Sequence, residues 1–346
     1  MDLLFLTPQL PYPAYQGTSL RNLHILRGVA QAHRVTLLSF GESTEAQPPP
    51  GPLAEICAEI MTVPTPERPF RRRLWQMVAT KKPDMALRLH APAYDAMLQS
   101  LLRRRSFDVI QIEGIELAWT IPTIRKAAPG VPILYDAHNA ETLLQARAGA
   151  ADRGHLRRLP AAFYSKLQSS RLASYEAWVC KSADRVTAVS EGDSKALEAL
   201  AGLGPGAVTV IPNSIDVAAY QPAASGDALQ DDRYRFDIVF SGKMDYRPNV
   251  DAALWFADEI WPLLKKQVPG LTWAIVGQKP HPRLRRLETL PGVTLTGWVP
   301  DVMPYMAGAK IFVMPFRVGS GTRLKLIEAL ASGRAVVSTT VGVEGF

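Results

Sequence analysis

Residues Phe236–Gly277, FDIVFSGKMDYRPNVDAALWFADEIWPLLKKQVPGLTWAIVG, predict a strand, a helix and a second strand in succession. Phe236–Phe240 and Leu271–Val276 are short apolar runs, and the second run ends at Gly277. Between them, Val250–Lys266 has the length and the apolar spacing of a helix. Strands that alternate with helices of this length are typical of βαβ units, so the segment predicts a parallel sheet.

The same alternation extends over most of the 346 residues. Further strands are predicted at Leu3–Thr7, Arg34–Phe40, Ile60–Val63, Asp108–Ile112, Ile133–Asp136, Arg185–Val189, Val208–Ile211, Val293–Thr296, Ile311–Pro315 and Ala335–Thr339. Further helices are predicted at about Ser19–Gln31, Tyr94–Arg104, Leu117–Ala127, Ala161–Lys181, Val302–Ala307 and Thr322–Ser332. The small, polar residues near 218–235 lack periodicity and predict a linker. We therefore expect an α/β fold with two tandem Rossmann-like domains, at 1–217 and 236–346.

The two ends of the sequence and its cysteine content bear on the expected cellular compartment and on the extent of the C-terminal domain. The N-terminus has no basic region and only a short apolar run at Leu3–Leu6, which argues against a signal peptide. No apolar segment reaches the length of a membrane span. Cys57 and Cys180 are too few for a disulfide framework, so we expect a reducing, cytoplasmic setting. Because the sequence stops just after a predicted strand, we expect an incomplete, truncated C-terminal domain.

Positive charge is concentrated between Met61 and Arg105. This window holds ten lysines and arginines against three acidic residues, which matches the excess of +7 in the whole chain. It contains Arg71, Arg72 and Arg73 beside apolar residues that include Trp75. Such a mixture suits an anionic membrane surface, so we expect these four residues to contact a membrane or an acceptor. An ordinary solvated face is the alternative, and we expect no nucleic-acid partner.

Polar residues follow several predicted strands, at the edge where open α/β sheets bind ligands. Gly17 and Thr18 precede the first helix, and His138 and Asn139 follow the strand Ile133–Asp136. In the second half, Gly242 and Lys243 follow the strand Phe236–Phe240, with Arg247 shortly after them. We expect His138 to be functional, and the other five histidines to serve the surface or the packing.

The stretch VGSGTRLKLIEAL, Val318–Leu330, predicts a glycine-rich turn that leads into a helix. Free backbone N–H groups and the helix dipole favour an anion at such a start, and Arg323 or Lys325 could add charge. Glu328 lies at the edge of the apolar face and needs a partner. Phosphate at the helix start and ribose hydroxyls at Glu328 would together mean a nucleotide. Alternatively, the stretch is a capped helix whose Glu328 pairs with a lysine or an arginine.

Other phosphate, hydrolase and metal motifs are absent. The chain has no P-loop, no G-x-G-x-x-G after the first strand, no G-x-S-x-G and no H-E-x-x-H. It also has no D-x-D, which is the usual metal-chelating signature of one class of sugar transferases. We therefore expect no metal ion and no other cofactor.

Seven segments, in this order, resemble the retaining GT-B glycosyltransferases of family 4, also called group 1. They are PYPAYQGTSLRN, DAHN, VTAVSEGD, VIPNSIDVAAY, FSGKMDYRPNVDA, VTLTGWVPDVMPYMAGAKIFVMPF and SGTRLKLIEALASGRAVVSTTVG. They extend over nearly the whole chain, and their details resemble a subgroup found in bacterial exopolysaccharide operons. The resemblance implies two domains that face a cleft, an N-terminal one for the acceptor and a C-terminal one for a nucleotide-sugar. It implies a metal-independent enzyme that transfers a sugar to a saccharide or lipid-linked acceptor, in the cytoplasm or at the inner face of the membrane.

The resemblance also implies roles for single residues. Gly17, His138 and Lys243 match the glycine loop, the histidine near the transferred sugar and the first cation that neutralises the donor phosphates. Glu328 matches the second glutamate of the E-x7-E motif, which holds the ribose. We assign Thr18 and Asn139 to the acceptor. The remaining donor contacts are expected at Gly242, Arg247, Asn249, Gly277, Val293, Leu295, Ser320, Gly321, Thr322, Arg323 and Leu324.

The sequence departs from the family pattern at two positions. Ser320 stands where the first glutamate of E-x7-E is expected, and Asn249 stands near the place of the usual second cation. Arg247, two positions earlier, is the candidate to supply that charge instead. Two other functions stay open on these departures: a non-catalytic nucleotide-sugar-binding protein, and a GT-B nucleotide-sugar 2-epimerase.

Overall fold

The computed structural model describes residues 1–14, 17–41, 51–151, 159–220, 231–318 and 324–344. The chain divides into two compact units, Met1–Asn213 and Ser214–Phe346. Part of the predicted linker lies outside the described residues; the described parts beside it form the short 3-10 turns Val217–Tyr220 and Asp232–Tyr234. The domain boundaries predicted above remain predictions. Each unit is described below by itself.

The first unit is a parallel sheet with helices. Its strands are β1 Asp2–Thr7, β2 Arg34–Gly41, β3 Glu59–Pro64, β4 Val109–Glu113, β5 Ile133–Ala137, β6 Arg185–Ala188 and β7 Val208–Val210. Its helices are α1 Gly17–Ala30, α2 Leu53–Ile56, α3 Phe70–Ala79, α4 Asp84–Arg88, α5 Pro92–Arg104, α6 Ile121–Ala127, α7 Glu141–Ala151, α8 Leu159–Ser182 and α9 Glu191–Ala201, with a 3-10 helix at Ile115–Thr120. The strand order is β3-β2-β1-β4-β5-β6-β7, and every pair is parallel.

The sequence of β1 explains its place at the centre of this sheet. Leu4, Phe5 and Leu6 are completely buried, as expected for a parallel strand that is covered on both faces. The chain builds the sheet outward from β1 to β3 and then returns to add β4 on the other side. Such a reversal leaves a crevice at the carboxyl ends of the two central strands, where open α/β sheets bind ligands.

The second unit repeats this plan on a smaller scale. Its strands are β8 Phe236–Ser241, β9 Trp273–Val276, β10 Val293–Gly297, β11 Ala309–Met314 and β12 Ala335–Ser338, in the parallel order β10-β9-β8-β11-β12. Its helices are α10 Arg247–Trp255, α11 Trp261–Gln267, α12 Met303–Gly308 and α13 Leu324–Ala331, with a π-helix at Phe256–Ile260 and a 3-10 helix at Pro282–Thr289. The reversal in strand order falls between β8 and β11, so the ligand-binding edge is expected there.

The predicted strands and helices are confirmed, with local differences. The helix expected at Val250–Lys266 is α10, a π-helical turn and α11, and Pro262 stands in the first turn of α11. The helix expected at Leu117–Ala127 begins as a 3-10 helix and becomes α6 near Pro122. Proline fits a first helical turn because its missing N–H is not needed there. The alternation of strands and helices therefore predicts the fold, and a proline marks the first turn of α6 and of α11.

Both cysteines are buried and free. Cys57 packs in a small core behind β1 and β2, and Cys180 packs in the main core of the first unit. Burial raises the pKa of the Cys57 thiol to about 11 and that of Cys180 to about 12. Both side chains are therefore protonated packing residues at neutral pH. Among the helices of the described ranges, none has both the length and the apolar character needed to cross a membrane.

Candidate functional site

In the first unit, polar side chains meet where β1, β4 and β5 end. Glu113 is the last residue of β4, and His138 directly follows β5. The His138 Nε2 atom lies 2.9 Å from Glu113 Oε2 and 3.7 Å from Asp136 Oδ2. The Glu113 side chain is fully buried, whereas that of His138 is 12% exposed. His138 is therefore the member of this cluster that solvent can reach.

Arg21 and Asp136 form a buried ion pair beneath His138. Arg21 donates from Nε to Asp136 Oδ2 at 2.7 Å and from Nη2 to Oδ1 at 2.8 Å. The Thr187 hydroxyl also donates to Asp136, and Arg21 Nη1 donates to the Ile211 carbonyl at 2.9 Å. Burial alone would raise the pKa of Asp136, but the hydrogen bonds and charge of Arg21 hold it below its ordinary value. Asp136 is therefore ionised and neutralised within the unit.

His138 and Glu113 both bind a proton more tightly than usual. Burial raises the pKa of Glu113, and the neighbouring charge of Asp136 raises it further. Burial would lower the pKa of His138, but its hydrogen bond to Glu113 and the charges of Glu113 and Asp136 outweigh burial and raise it. With its amide nitrogen turned toward the pair, Asn22 donates to Glu113 Oε2 at 2.9 Å. From the 2.9 Å contact and the two raised pKa values, we infer that the pair shares a proton at the edge of the sheet.

The loop after β5 is fixed by two buried acids. Asp193 Oδ1 accepts from the Ala140 backbone N–H at 3.0 Å, and Glu176 accepts from the N–H groups of Glu141 and Thr142 at 2.7 and 3.0 Å. The carboxylate of Glu176 therefore satisfies free N–H groups at the start of α7. These contacts hold the backbone that carries His138 and Asn139. Neither acid was singled out from the sequence, since each lies on a different helix.

Gly17 and Thr18 begin α1 at the same edge. Gly17 is exposed and Thr18 is half-buried, and with the amide orientation given above the Thr18 carbonyl accepts from Asn22 at 3.1 Å. Asn22 thus links the start of α1 to Glu113 and His138. The sequence predictions of Gly17, Thr18, His138 and Asn139 as one site are consistent with this arrangement, although their roles remain predictions.

One oxygen each from Glu113 and Asp136 and one nitrogen of His138 all lie within 4.8 Å of one another, which is close enough to hold a metal ion. However, both Asp136 oxygens already accept hydrogen bonds from Arg21. A metal ion would have to compete with this guanidinium for the same carboxylate. The donor set therefore favours hydrogen bonding and proton sharing over metal binding, and the absence of a metal from the reaction remains a proposal.

The shared proton makes the stability of the first unit depend on pH. A group with a raised pKa in the folded state stabilises the fold below its unfolded pKa, and this stabilisation is lost as the pH rises through the folded value. Both Glu113 and His138 have raised values. We therefore expect the free energy of unfolding to fall by at least about 1 kcal/mol as the pH rises from about 5 to about 8.

Urea denaturation at these two pH values measures this effect. Glu113→Gln removes one titrating group and the largest of the contributions that raise the pKa of His138, while the charge of Asp136 stays. The pH dependence of this variant should therefore be clearly smaller. Glu198→Gln, which changes a carboxylate at the far end of the unit that accepts from Val208 N–H, should keep the wild-type dependence. An equal pH dependence in wild type and Glu113→Gln would contradict the shared proton.

In the second unit, Gly242 and Gly277 bring the ends of β8 and β9 into contact. A Cβ atom on Gly277 would overlap the Gly242 carbonyl oxygen, and one on Gly242 would meet Lys325 Nζ and, at 2.7 Å, Asn249 Nδ2. Both positions therefore require glycine. Lys243 follows at this edge, with its Nζ atom 3.8 Å from Asp245 and its side chain 40% exposed. The structure thus leaves the Lys243 ammonium group accessible beside the two glycines.

Asn249 and Lys325 meet at the same place. The Asn249 amide donates to the Lys243 carbonyl at 2.8 Å, and its oxygen accepts from Lys325 Nζ at 3.2 Å. The Lys325 ammonium also lies 5.8 and 5.7 Å from the ring centres of Phe240 and Phe316. Sequence reasoning placed Asn249 near a missing cation but did not connect it to Lys325. The suggested substitute, Arg247, is exposed at the start of α10.

Glu328 in α13 accepts a hydrogen bond from the Tyr220 hydroxyl at 3.1 Å. Burial raises the pKa of Glu328, although Tyr220 and the charge of Lys325 act in the opposite direction. The partner that the sequence left open, a lysine or an arginine, is thus a tyrosine here. Tyr220 comes from the VIPNSIDVAAY segment, which carried the family resemblance without a predicted role for this residue.

The other predicted donor contacts differ in access. Val293 is buried in the core of the second unit, whereas Leu295 is only partly buried, so Leu295 offers more of its side chain to a ligand. Leu324 begins α13, while Ser320, Gly321, Thr322 and Arg323 lie outside the described residues. Arg71, Arg72, Arg73 and Trp75 lie on α3 of the first unit, and all four are exposed.

Each unit therefore has a parallel sheet with glycines and charged side chains at the carboxyl edge, which is the architecture of GT-B proteins. A family model for Glycosyltransferase Family 4 matches residues 15–219, which is more than half of the chain. A second model, for glycosyl transferases group 1, matches residues 235–345. The chain belongs to glycosyltransferase family 4, and it is a glycosyltransferase.

Solved structures of low sequence identity share the fold. HepE of Anabaena, in complex with UDP-glucose, is 17% identical with a TM-score of 0.62, over 99% of this chain and 81% of that one. A UDP-forming α,α-trehalose-phosphate synthase of Burkholderia xenovorans, in complex with glucose-6-phosphate, is 12% identical with a TM-score of 0.64, over 99% and 86%.

A curated relative matches a smaller part. An uncharacterized 44.6 kDa protein in the cps region of Klebsiella pneumoniae is 22% identical over 122 residues. The match covers 33% of this chain and 31% of that protein, so the chain matches less than two thirds of the length of this relative.

Proposed function

We propose that this protein transfers a sugar from a nucleotide-sugar donor to a saccharide or lipid-linked acceptor, with retention of the anomeric configuration. The observation that carries the proposal is the edge of the second sheet, where Lys243 and Lys325 lie beside Gly242 and Gly277. Glu328, which is half-buried, follows Lys325 on the same helix. The UDP-glucose complex of the similar HepE structure supports a nucleotide-sugar donor. The relative in a cps region supports a pathway to cell-surface polysaccharide or glycolipid.

In the proposed reaction, the acceptor hydroxyl oxygen bonds to the anomeric carbon while the bond from that carbon to the donor diphosphate breaks. Retention follows if the hydroxyl attacks from the face that the diphosphate leaves, and the hydroxyl proton then passes to a diphosphate oxygen. Negative charge grows on the diphosphate, so fixed cations stabilise the transition state. Lys243 and Lys325 would supply this charge without a metal ion. Gly242 and Gly277 would let the phosphates approach the backbone.

Glu328 and Tyr220 would bind the ribose. A carboxylate accepts hydrogen bonds from the 2′- and 3′-hydroxyls, as acidic residues do in other Rossmann-like sites. The Tyr220 hydroxyl would hold Glu328 in place through the 3.1 Å hydrogen bond. In the first unit, His138 with its shared proton would donate to a hydroxyl of the saccharide substrates. Thr18 and Asn139 would bind the acceptor.

A thermal-shift panel of UDP-, GDP- and ADP-sugars tests the donor, followed by product detection with oligosaccharide and lipid acceptors. We expect one class of nucleotide-sugar to raise the melting temperature and to give a transferred sugar with the anomeric configuration of the donor. Donor binding without transfer would favour a non-catalytic binding protein, and a C2-inverted donor would indicate an epimerase. A panel that shifts nothing and yields no product would refute the proposal.

Glu328→Ala should weaken binding of the preferred nucleoside diphosphate by about 10- to 100-fold, since hydrogen bonds to a charged group contribute about 1.5–3 kcal/mol. The 2′-deoxy nucleotide provides the control. Wild type should bind it more weakly than the ribonucleotide, whereas Glu328→Ala should bind both alike. Tyr220→Phe should have a smaller effect, because it removes only the support of Glu328. If Glu328→Ala still prefers the ribonucleotide, the ribose assignment is wrong.

A further inference from the structure

Helix α3 presents three large apolar side chains to solvent. Phe70 is 76% exposed, Leu74 is 51% exposed and Trp75 is 68% exposed. Single exposed apolar residues are common on protein surfaces. Three of them on one side of a ten-residue helix are unusual and mark a candidate interaction site.

The three exposed apolar side chains lie on one side of α3. Successive residues of a helix are about 100° apart, so Phe70, Leu74, Arg71 and Trp75 fall within an arc of about 140°. On the opposite side, Gln76 accepts a hydrogen bond from Arg68 at 3.1 Å, and Arg73 lies 3.9 Å from Asp84. Polar contacts therefore attach this opposite side of α3 to the unit, whereas Phe70, Leu74 and Trp75 remain exposed.

The surroundings of this surface are positively charged. Arg71, Arg72, Lys81 and Lys82 are exposed, and among the described residues no carboxylate lies within 4.0 Å of any of them. Burial is the largest cause of the lowered pKa of His90, and the positive charges of Lys82 and Arg72 lower it further. These two cations therefore act on the same small region. Asp84, which lies 3.9 Å from Arg73 of α3, pairs with Arg68 at 2.8 Å.

A cavity of about 360 Å³ opens beside the helix. Phe70, Leu74 and Leu87 contribute apolar wall, and Arg68, Arg73 and Lys82 contribute positive charge. Asp84 also lines the cavity, but it pairs with Arg68. An apolar wall next to cations resembles the boundary between acyl chains and phosphates in a lipid leaflet. The cavity thus combines apolar and positively charged side chains, as the exposed side of α3 does.

We propose that α3 binds an anionic lipid bilayer, with Phe70, Leu74 and Trp75 inserted below the headgroups and the neighbouring arginines and lysines on the lipid phosphates. Interfacial helices combine an apolar face with cations in this way. Arg71 decides between a bilayer and a protein partner, because it lies between Leu74 and Trp75 on the arc. The centre of a protein interface is depleted of charge, whereas at a bilayer a long side chain extends to the headgroups. This inference does not depend on the proposed function.

Vesicle co-sedimentation of the whole chain tests the proposal. We expect binding to phosphatidylcholine vesicles that contain about 30% phosphatidylglycerol, loss of binding at high salt, and little binding to phosphatidylcholine alone. R71S/R72S should lower the partition coefficient by about 30-fold, since each cation near an anionic surface contributes about 1 kcal/mol. L74S/W75S should lower it by at least about 100-fold, because both side chains would lose burial in the bilayer.

Matched variants separate α3 from general properties of the surface. R103S/K126S removes the same charge from other exposed positions of the first unit, and L263S removes a side chain that is 63% exposed in the second unit. Both should bind vesicles within about threefold of wild type. Lipids brominated near the headgroup should quench wild-type fluorescence, and Trp75→Phe should lose most of this quenching while it still binds.

Three results would overturn the proposal. The first is that the wild-type protein does not bind anionic vesicles. The second is that the α3 variants bind as wild type does. The third is that the matched variants lose as much binding as the α3 variants. All substituted side chains are exposed, so circular dichroism should show wild-type folding in each variant. A difference in binding can then be assigned to the surface itself.

Discussion

Arg21→Met should lower the free energy of unfolding of the first unit by about 3–5 kcal/mol. The substitution leaves the Asp136 carboxylate buried without the guanidinium that donates to both of its oxygens. It also removes the hydrogen bond that Arg21 makes to the Ile211 carbonyl. Since the Arg21 and Asp136 side chains are only 3% and 1% exposed, water cannot replace the lost contacts. Urea denaturation, followed by circular dichroism, measures the change.

Two variants make this prediction specific. Arg34→Met removes an ion pair to Asp2 whose side chains are 61% and 54% exposed, and it should cost less than about 1 kcal/mol. R21M/D136N removes the unpaired charge and should recover part of the stability lost in Arg21→Met. If Arg21→Met costs no more than Arg34→Met, the buried pair does not hold the strand ends together as described.

Lys325→Met should lower kcat/KM for sugar transfer by about 100- to 1000-fold, which is the usual effect of removing one group that stabilises transition-state charge. The Lys325 ammonium lies 3.2 Å from Asn249, at the strand end that would hold the donor diphosphate. Steady-state kinetics with the preferred donor measure the loss. Lys310→Met is the matched control, because Lys310 pairs with Asp237 and its side chain is 78% exposed. That variant should stay within about threefold of wild type.

A second cation can be supplied from the neighbouring position. The double variant K325M/N249K places an ammonium group on α10, where the family pattern has its second cation, and should recover part of the lost activity. Recovery would assign the effect to charge rather than to packing of the lysine side chain against Phe240 and Phe316. If Lys325→Met keeps wild-type kcat/KM, Lys325 does not stabilise the diphosphate.

The alternation of apolar runs and amphipathic segments was enough to predict both sheets. Parallel strands are buried on both faces, so runs such as Leu3–Thr7 are visible in one sequence without knowledge of their neighbours. Because such runs mark the strands, the glycines and charged residues that follow them could be placed at the carboxyl edge of a sheet, where ligands bind. His138 and Lys243 were found in this way, whereas Glu328 was found from its place on a predicted helix and from the family resemblance.

Partners that are distant along the chain could not be predicted. Arg21 and Asp136 are 115 positions apart, Tyr220 and Glu328 are 108 apart, and Lys325 and Asn249 are 76 apart. Each pair depends on which strand ends lie side by side, and strand order is not encoded in local periodicity. Helix α3 was not predicted, because three consecutive arginines interrupt the apolar spacing on which helix prediction from one sequence depends.

Because both native cysteines are buried, a thiol-reactive label can be directed to a new cysteine at an exposed position. Because burial raises the pKa of Cys57 to about 11 and that of Cys180 to about 12, neither thiol is a good nucleophile toward maleimides at neutral pH. A new cysteine at an exposed position of each unit, such as Arg103→Cys with Lys266→Cys, can therefore carry a fluorophore or a spin label in the wild-type background. Distances between such labels, measured with and without a nucleotide-sugar, would test whether the spacing of the two labels changes on binding.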